Sequence, residues 1–241
     1  MNFVIDIGNT RTKAAVFDKS ELIDSANDEK KTAEILEKYD GNIQRCMISS
    51  VADIPKNLKK LCKLLKSKIV ELDSSISLPF KNSYTTKNTL GKDRIAAVAG
   101  ACALYPCRNV LIIDAGTAIT LDVKTANEEY QGGNITPGLT MRFKALHDYT
   151  SNLPLLEHSD KFSLLGQNTT ESINNGVQNG LIFELNSYLE IIRNKYDNLV
   201  VLLTGGDVHF FDNKLKNPIF VVSNLTLIGL NFILEHNANK R

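Results

Sequence analysis

The sequence predicts an α/β protein built from two copies of one unit, each a mixed sheet flanked by helices, with the boundary near residue 108. Two observations predict this. First, an apolar run ends in Asp-x-Gly twice. Phe3-Val4-Ile5 leads into Asp6-Ile7-Gly8-Asn9-Thr10, and Val110-Leu111-Ile112-Ile113 leads into Asp114-Ala115-Gly116-Thr117-Ala118. The two aspartates are 108 residues apart, as are the two glycines. Each hairpin is followed by an alternating strand, Lys13 to Phe17 and Ile119 to Val123. Second, both halves continue in the same order, hairpin-type strands followed by strands alternating with helices, which is the pattern of a mixed sheet with helices on its faces.

The elements follow from local pattern. Alternation and β-branched runs predict strands at 2–7, 12–17, 21–25, 44–50 and near 68–72. Helical spacing predicts helices at 30–39, 55–66 and 93–104. The second half gives strands at 109–114, 118–124 and 128–135 and a helix at 138–149. A helical region over 169–195 opens at Asn168, with Glu171 three residues on, a start like a capping box. A strand at 199–203 runs into Thr204-Gly205-Gly206-Asp207, and a short strand at 219–222 and a helix over 224–236 close the chain. Gly176 and Gly180 share a helical face and are expected to serve close backbone packing; their polar neighbours exclude a membrane dimer face.

A strand ending in Asp-x-Gly makes a tight hairpin whose backbone N–H groups can hold phosphate oxygens. Glycine lets backbone approach a phosphate with no Cβ in the way. Threonines 10, 12, 117 and 120 add hydroxyls, and Lys13 can reach a phosphate as a mobile charge. An aspartate at a strand end suits Mg²⁺, which keeps several waters and takes one or two carboxylates. One such hairpin alone reads as an ordinary turn; two in register imply a nucleotide held by both halves.

Composition narrows the class. The chain has 241 residues, 43% hydrophobic and 23% charged, with net charge +1, the balance of an ordinary globular protein. That charge argues against a nucleic-acid partner. The basic stretch Lys56 to Lys68 carries Leu58, Leu61, Leu64 and Leu65 on its opposing face and reads as an amphipathic surface helix. No run is long enough to span a membrane. A strand begins by residue 3, so no leader peptide is expected. The four cysteines form no Cys-x-x-Cys pair and the four histidines no zinc spacing, which suits a reducing cytoplasm.

Several motifs together give the chain a family resemblance. Asp6 to Lys13 and Asp114 to Asp122 carry the two phosphate motifs, and Gly91-Lys92-Asp93-Arg94 follows Tyr84 by seven residues. Further along stand Gly132-Gly133-Asn134-Ile135-Thr136-Pro137-Gly138, Leu153-Pro154, Thr169-Thr170-Glu171-Ser172-Ile173 with Gly176, and Thr204-Gly205-Gly206. With these the chain resembles the type III pantothenate kinases, of the actin-like (ribonuclease-H-like) superfamily of acetate and sugar kinases, over nearly its whole length. Unrelated actin-like proteins share the phosphate hairpins but not Gly-x-Asp-Arg in this place.

The resemblance implies ATP-dependent phosphorylation of pantothenate, the first step towards coenzyme A, with two actin-like domains at 1–108 and 109–241. Asp93 would be the general base; an aspartate before an alanine-rich helix also suits an N-cap. Tyr84, Gly91, Lys92, Arg94 and Thr170 would meet pantothenate. Asp6, Ile7, Gly8, Asn9, Thr10, Arg11, Thr12, Lys13 and Thr117 would line the ATP phosphates, with Mg²⁺ held through water by Asp6. A monovalent cation, K⁺ or NH₄⁺, would bind at Asp114; a Mg²⁺-water role for Asp114 stays open, as does Asp122 as the cation's carboxylate. The family also implies a homodimer with the substrate pocket at the subunit interface, and the apolar residues between Ile173 and Ile192 are the expected contact. Two rival classes share the hairpins. Another actin-like phosphotransferase or phosphatase would have no use for Tyr84 and Gly91 to Arg94, and a regulatory binding protein no use for Asp93.

Overall fold

The computed structural model describes residues 1–8, 11–50, 68–211, 213–216 and 218–238. The chain forms two compact units that interleave in sequence. One comprises residues 1–108, 122–132 and 224 onward; the other comprises 109–121 and 133–223.

The first unit is built on β1 (Asn2–Ile7), which pairs antiparallel with β2 (Thr12–Asp18) and parallel with β4 (Arg45–Ser50). Adding β3 (Glu21–Ala26) and β5 (Lys68–Glu71) gives the order β3-β2-β1-β4-β5. A central strand is covered on both faces, so β1 is apolar almost throughout; Phe3, Val4 and Ile5 are buried. Helix α1 (Glu29–Tyr39) starts where Asp28 accepts a hydrogen bond from Lys31 N–H at 2.8 Å. Its Ile35 and Leu36 join Phe3, Ile5, Val16 and Ile48 in the core.

The short strand β6 (Lys81–Asn82) precedes α2 (Lys92–Leu104), whose residues Ala96 to Cys102 are all buried. Helix α2 packs against the last helix, α6 (Leu225–Ala238). The approach is backbone-close: a Cβ on Gly229 would collide with Ala96 O, and one on Gly100 with Leu225 O. Small residues at the crossing let two buried helices touch through their main chains.

The second half contributes β7 (Val110–Ala115), β8 (Ala118–Lys124), β9 (Glu129–Pro137), β10 (Val200–Thr204) and β11 (Phe220–Val221). Their sheet runs β11-β10-β7-β8-β9-β6, with β10 parallel to β7. Helices α3 (Leu139–Asp148), α4 (Thr169–Lys195) and α5 (Val208–Phe211) complete the second half. The N-cap of α4 forms as expected: Asn168 Oδ1 accepts from Glu171 N–H at 2.9 Å, while Glu171 Oε2 reaches back one residue further, to Gln167 N–H at 2.8 Å.

Two expectations change or fall outside the description. The helix expected over 55–66, with the leucines of the basic stretch, lies outside the described residues. Gly176 and Gly180 do not serve close packing among the described residues, because a Cβ on either meets none of them within 4 Å. Sequence spacing reports which face a glycine lies on, not whether anything approaches that face.

Candidate active site

In the first unit the site grows from the end of β1. Register puts Asp6 opposite Lys13 on β2 and Ser49 on β4. The turn that follows is closed by Gly8 N–H donating to Arg11 O at 3.0 Å. Thr12 is buried and Arg11 exposed; Asn9 and Thr10 lie outside the described residues. Burial raises the pKa of the Asp6 carboxyl above its ordinary 3.8, the Ser49 hydroxyl pulls the other way, the Asp93 charge pushes it up again, and Lys13 lowers it. Ser49 Oγ is itself buried, with no hydrogen bond of good geometry among the described residues.

Asp93 and Asp6 thus lie within electrostatic reach of each other. Helix α2 begins at Lys92 with Gly91 as its N-cap, so Asp93 sits in the first turn and does not cap the helix. Its Oδ1 accepts from Arg94 N–H at 2.9 Å, a favourable place for a negative charge at a helix start. Gly91 leaves room for this arrangement, because a Cβ on it would come within 2.4 Å of Asp93 Oδ1 and push the carboxylate aside. The spacing Gly-x-Asp is therefore a steric device that lets the carboxylate fold back over the helix start. Lys92 lies at the same turn and helps to hold the Asp73 carboxyl below its ordinary range, behind the larger hydrogen bonds from Ser75.

Arg94 points into the unit and is 4% exposed. A guanidinium buried that far needs a partner, and Asp122, 0% exposed, supplies it. Asp122 Oδ1 accepts from Arg94 Nε at 2.9 Å and Nη2 at 2.6 Å, and from the Tyr130 hydroxyl at 2.7 Å. Burial opposes the Arg94 charge, but Asp122, Tyr130 and Tyr84 outweigh it and the pKa is raised. Tyr84 stacks on Tyr130 with centroids 6.1 Å apart and planes 18° apart, and Arg94 lies 5.6 Å over the Tyr84 ring. Asp122, considered from sequence as a cation carboxylate, is already held by Arg94 and Tyr130. Tyr130 escaped the sequence reading altogether. The available signal was Asp122 itself, a charge within the apolar strand Ile119-Thr120-Leu121-Asp122-Val123, which must find a partner when buried.

In the second unit three glycine-bearing segments converge. Strands β7 and β8 are joined by Gly116-Thr117, closed by Gly116 N–H donating to Ala118 O at 3.1 Å. Gly138 N–H donates to Thr117 O at 3.1 Å, and a Cβ on Gly138 would collide with Gly116 O. From β10, Thr204 pairs in register with Asp114, and Asp207 N–H donates to Ala115 O at 2.9 Å. Gly205 turns with φ +103°, and a Cβ there would strike Ala115 O. Asp114, Thr117 and the Thr204-Gly205-Gly206 motif are thus one structural neighbourhood. Thr170 is exposed in the first turn of α4. Beside it a cavity of about 920 Å³ opens between α3 and α4, lined by Pro137, Arg142, Leu146, Thr169, Ile173 and Gly176 among others.

Comparison with known proteins identifies the family. The family model for type III pantothenate kinase matches residues 2–190. The type III pantothenate kinase of Christiangramia forsetii is 46% identical over 244 aligned positions that cover all of both chains. That of Bacteroides fragilis is 41% identical, again over all of both chains. The structure of (R)-2-hydroxyglutaryl-CoA dehydratase component A from Acidaminococcus fermentans superposes with a TM-score of 0.55 at 10% identity, covering 99% of this chain and 98% of that one. The likeness places the two mixed sheets in the actin-like fold. With the family model spanning most of its length and relatives matching it end to end, this chain belongs to the type III pantothenate kinases.

Proposed function

We propose that Asp93 is the general base in the ATP-dependent phosphorylation of pantothenate, the reaction that family membership gives this chain on the way to coenzyme A. The observation that carries the reading is the turn at Gly91–Arg94. A glycine leaves room for the carboxylate and a backbone N–H holds Oδ1; in this reading Oδ2 takes the substrate hydroxyl. Phosphoryl transfer depends mainly on positioning and charge stabilisation. As the substrate oxygen bonds to the γ-phosphorus and the bond to the leaving ADP oxygen breaks, Asp93 accepts the hydroxyl proton.

Arg94, Tyr84, Gly91, Lys92 and Thr170 are the pantothenate contacts in this reading. Asp6, Ile7, Gly8, Asn9, Thr10, Arg11, Thr12, Lys13 and Thr117 take the ATP phosphates. Mg²⁺ fits Asp6, a partly buried carboxylate with a second carboxylate in electrostatic reach, where added positive charge offsets the repulsion. A monovalent cation, K⁺ or NH₄⁺, would bind at Asp114, near the end of β7 beside the turns at Gly116 and Gly205. Bound there, it supplies positive charge where the transition state gathers negative charge.

The chain acts as two actin-like domains divided near residue 108, with 122–132 and 224 onward grouping with the first, and as a homodimer in the cytoplasm. The dimer is supported by the open faces of Gly176 and Gly180 and by apolar side chains of α4 left exposed, Phe183 at 55% and Ile191 at 65%. Glycine inside a helix costs about 1 kcal/mol relative to alanine, so two of them facing open space suit a second copy that comes close.

The test is ADP release by the purified protein with ATP, Mg²⁺ and pantothenate, in potassium and in sodium buffer. Release that requires both pantothenate and potassium is expected. Release indifferent to potassium would remove the cation from Asp114, and no pantothenate-dependent release from folded protein would remove the reading of the site.

A further inference from the structure

We propose that Asp122 and Tyr130 are positioning residues of the pantothenate pocket. Asp122 fixes one edge of the Arg94 guanidinium, and Tyr130 holds Asp122 with its hydroxyl and Tyr84 with its ring. The inference rests on the reading of Arg94 and Tyr84 as substrate contacts.

The four side chains close a circuit inside the first unit. Arg94 donates to Asp122 through Nε and Nη2, Tyr130 donates to the same Asp122 oxygen, Tyr130 stacks on Tyr84, and Tyr84 lies under Arg94. They come from four separate segments: the stretch after β6, the start of α2, β8 and β9. Asp122 and Tyr130 are both 0% exposed, so neither touches a substrate directly. Arg94 and Tyr84, the two members assigned to the substrate, are the two they brace.

The chemistry of the pair decides what this bracing does. A guanidinium has five N–H donors in a planar fork. Asp122 engages the Nε–Nη2 edge, so the Nη1 end is the part of the fork it does not use. The orientation of that end is set before any substrate arrives, which lowers the ordering cost of binding. Burial, with the Asp122 charge beside it, pushes the Tyr130 phenol above its ordinary range, so it remains a donor throughout the working pH range. Gly132, two residues on, has φ +105°, and the place of its Cβ is 3.9 Å from Tyr84 Cδ2, so β9 can turn beside the Tyr84 ring. A buried ion pair is weak evidence for stability in itself; a pair stacked and hydrogen-bonded into one orientation is suited to presenting a side chain.

The experiment is steady-state kinetics and thermal unfolding of full-length Tyr130→Phe, which keeps the ring on Tyr84 and removes only the hydroxyl from Asp122. The KM for pantothenate should rise roughly 5- to 20-fold, as for loss of one hydrogen bond to a charged group. The KM for ATP should stay put, kcat should fall less than KM rises, and Tm should move little. Tyr130→Leu, which also removes the ring from Tyr84, should raise the pantothenate KM further still. An unchanged pantothenate KM in folded Tyr130→Phe overturns the inference while leaving the kinase reading standing. Parallel rises in both KM values with a fall in Tm overturn it too, since they mark a general structural role. A wild-type enzyme without pantothenate-dependent turnover removes the reading beneath it.

Discussion

At the first hairpin Asp6 lies half-buried near the end of β1, with a second carboxylate, Asp93, in electrostatic reach and Lys13 across the strand pair. At the second, Asp114 ends β7 with the Gly205 turn folded against the same strand end. The first turn is the longer, with Gly8 N–H reaching Arg11 O, whereas Gly116 N–H reaches only to Ala118 O. The glycines differ as well. A Cβ on Gly116 would sit 3.6 Å from Ala118 O, an ordinary contact, and one on Gly8 would sit 3.3 Å from Arg11 O, which is tight. Around the second hairpin it is Gly205 and Gly138, outside the Asp-x-Gly signature, that the packing demands. The same five-residue motif therefore serves two surroundings. At the first, carboxylates are crowded together; at the second, backbone is crowded against backbone.

The largest expected effect breaks the first of these. Asp93→Asn removes the proposed proton acceptor and also the charge that helps keep Asp6 raised. Turnover should fall by roughly 10²- to 10⁴-fold, the usual contribution of a general base. The exchange keeps shape, and an amide oxygen can still accept from Arg94 N–H, so Tm should hold. Turnover within a few-fold of wild type would take Asp93 out of the base role and leave it as a first-turn helix charge.

The second prediction breaks the crowding at Asp114. Gly205→Ala places a methyl against Ala115 O in a backbone conformation that side chains rarely adopt. Left-handed strain and overpacking together should cost roughly 2–4 kcal/mol of stability, read by denaturant unfolding. Gly116→Ala sharpens the contrast. It meets only ordinary contacts, so stability should stay within about 1 kcal/mol of wild type, while the KM for ATP should rise if phosphate oxygens need that backbone bare. A stable Gly116→Ala enzyme with unchanged ATP kinetics would show that no ligand approaches the second hairpin at that point.

Much of this was legible in the sequence because it depends on local pattern. The strands around both hairpins, α2 and the start of α4 lie where periodicity and the Asn168 cap put them, within a residue or two. The unread parts share one cause. The two-residue β6 and the four-residue α5 are too short to carry a period. The inward turn of Arg94, the saturation of Asp122 and the part played by Tyr130 depend on which segments meet in space, and 28 residues separate Arg94 from Asp122. Gly91 and Gly176 make the point in miniature: both stand in motifs, but one faces a carboxylate and the other meets nothing among the described residues.

The smallest effect concerns Asp6 alone. Its folded-state pKa is raised, chiefly by burial, so the folded protein holds that proton more tightly than the unfolded chain does. The sign follows from linkage: the contribution favours folding below the ordinary 3.8 and is lost as pH rises through the raised value. At neutral pH, without nucleotide or metal, ionised Asp6 therefore opposes folding. Asp6→Asn removes the charge and keeps the shape, so its Tm should exceed wild type at pH 7, and the gain should shrink as the pH falls through the carboxylate range. Mg²⁺ and ATP should reverse the order by stabilising wild type more than the variant, because the carboxylate that burdens the empty protein is the one proposed to hold the hydrated metal. A variant less stable than wild type at neutral pH in the empty state would mean that Lys13 and Ser49 outweigh burial at the first hairpin. The contrast between a carboxylate held for its ligand and one held by the fold would then rest on Asp122 alone.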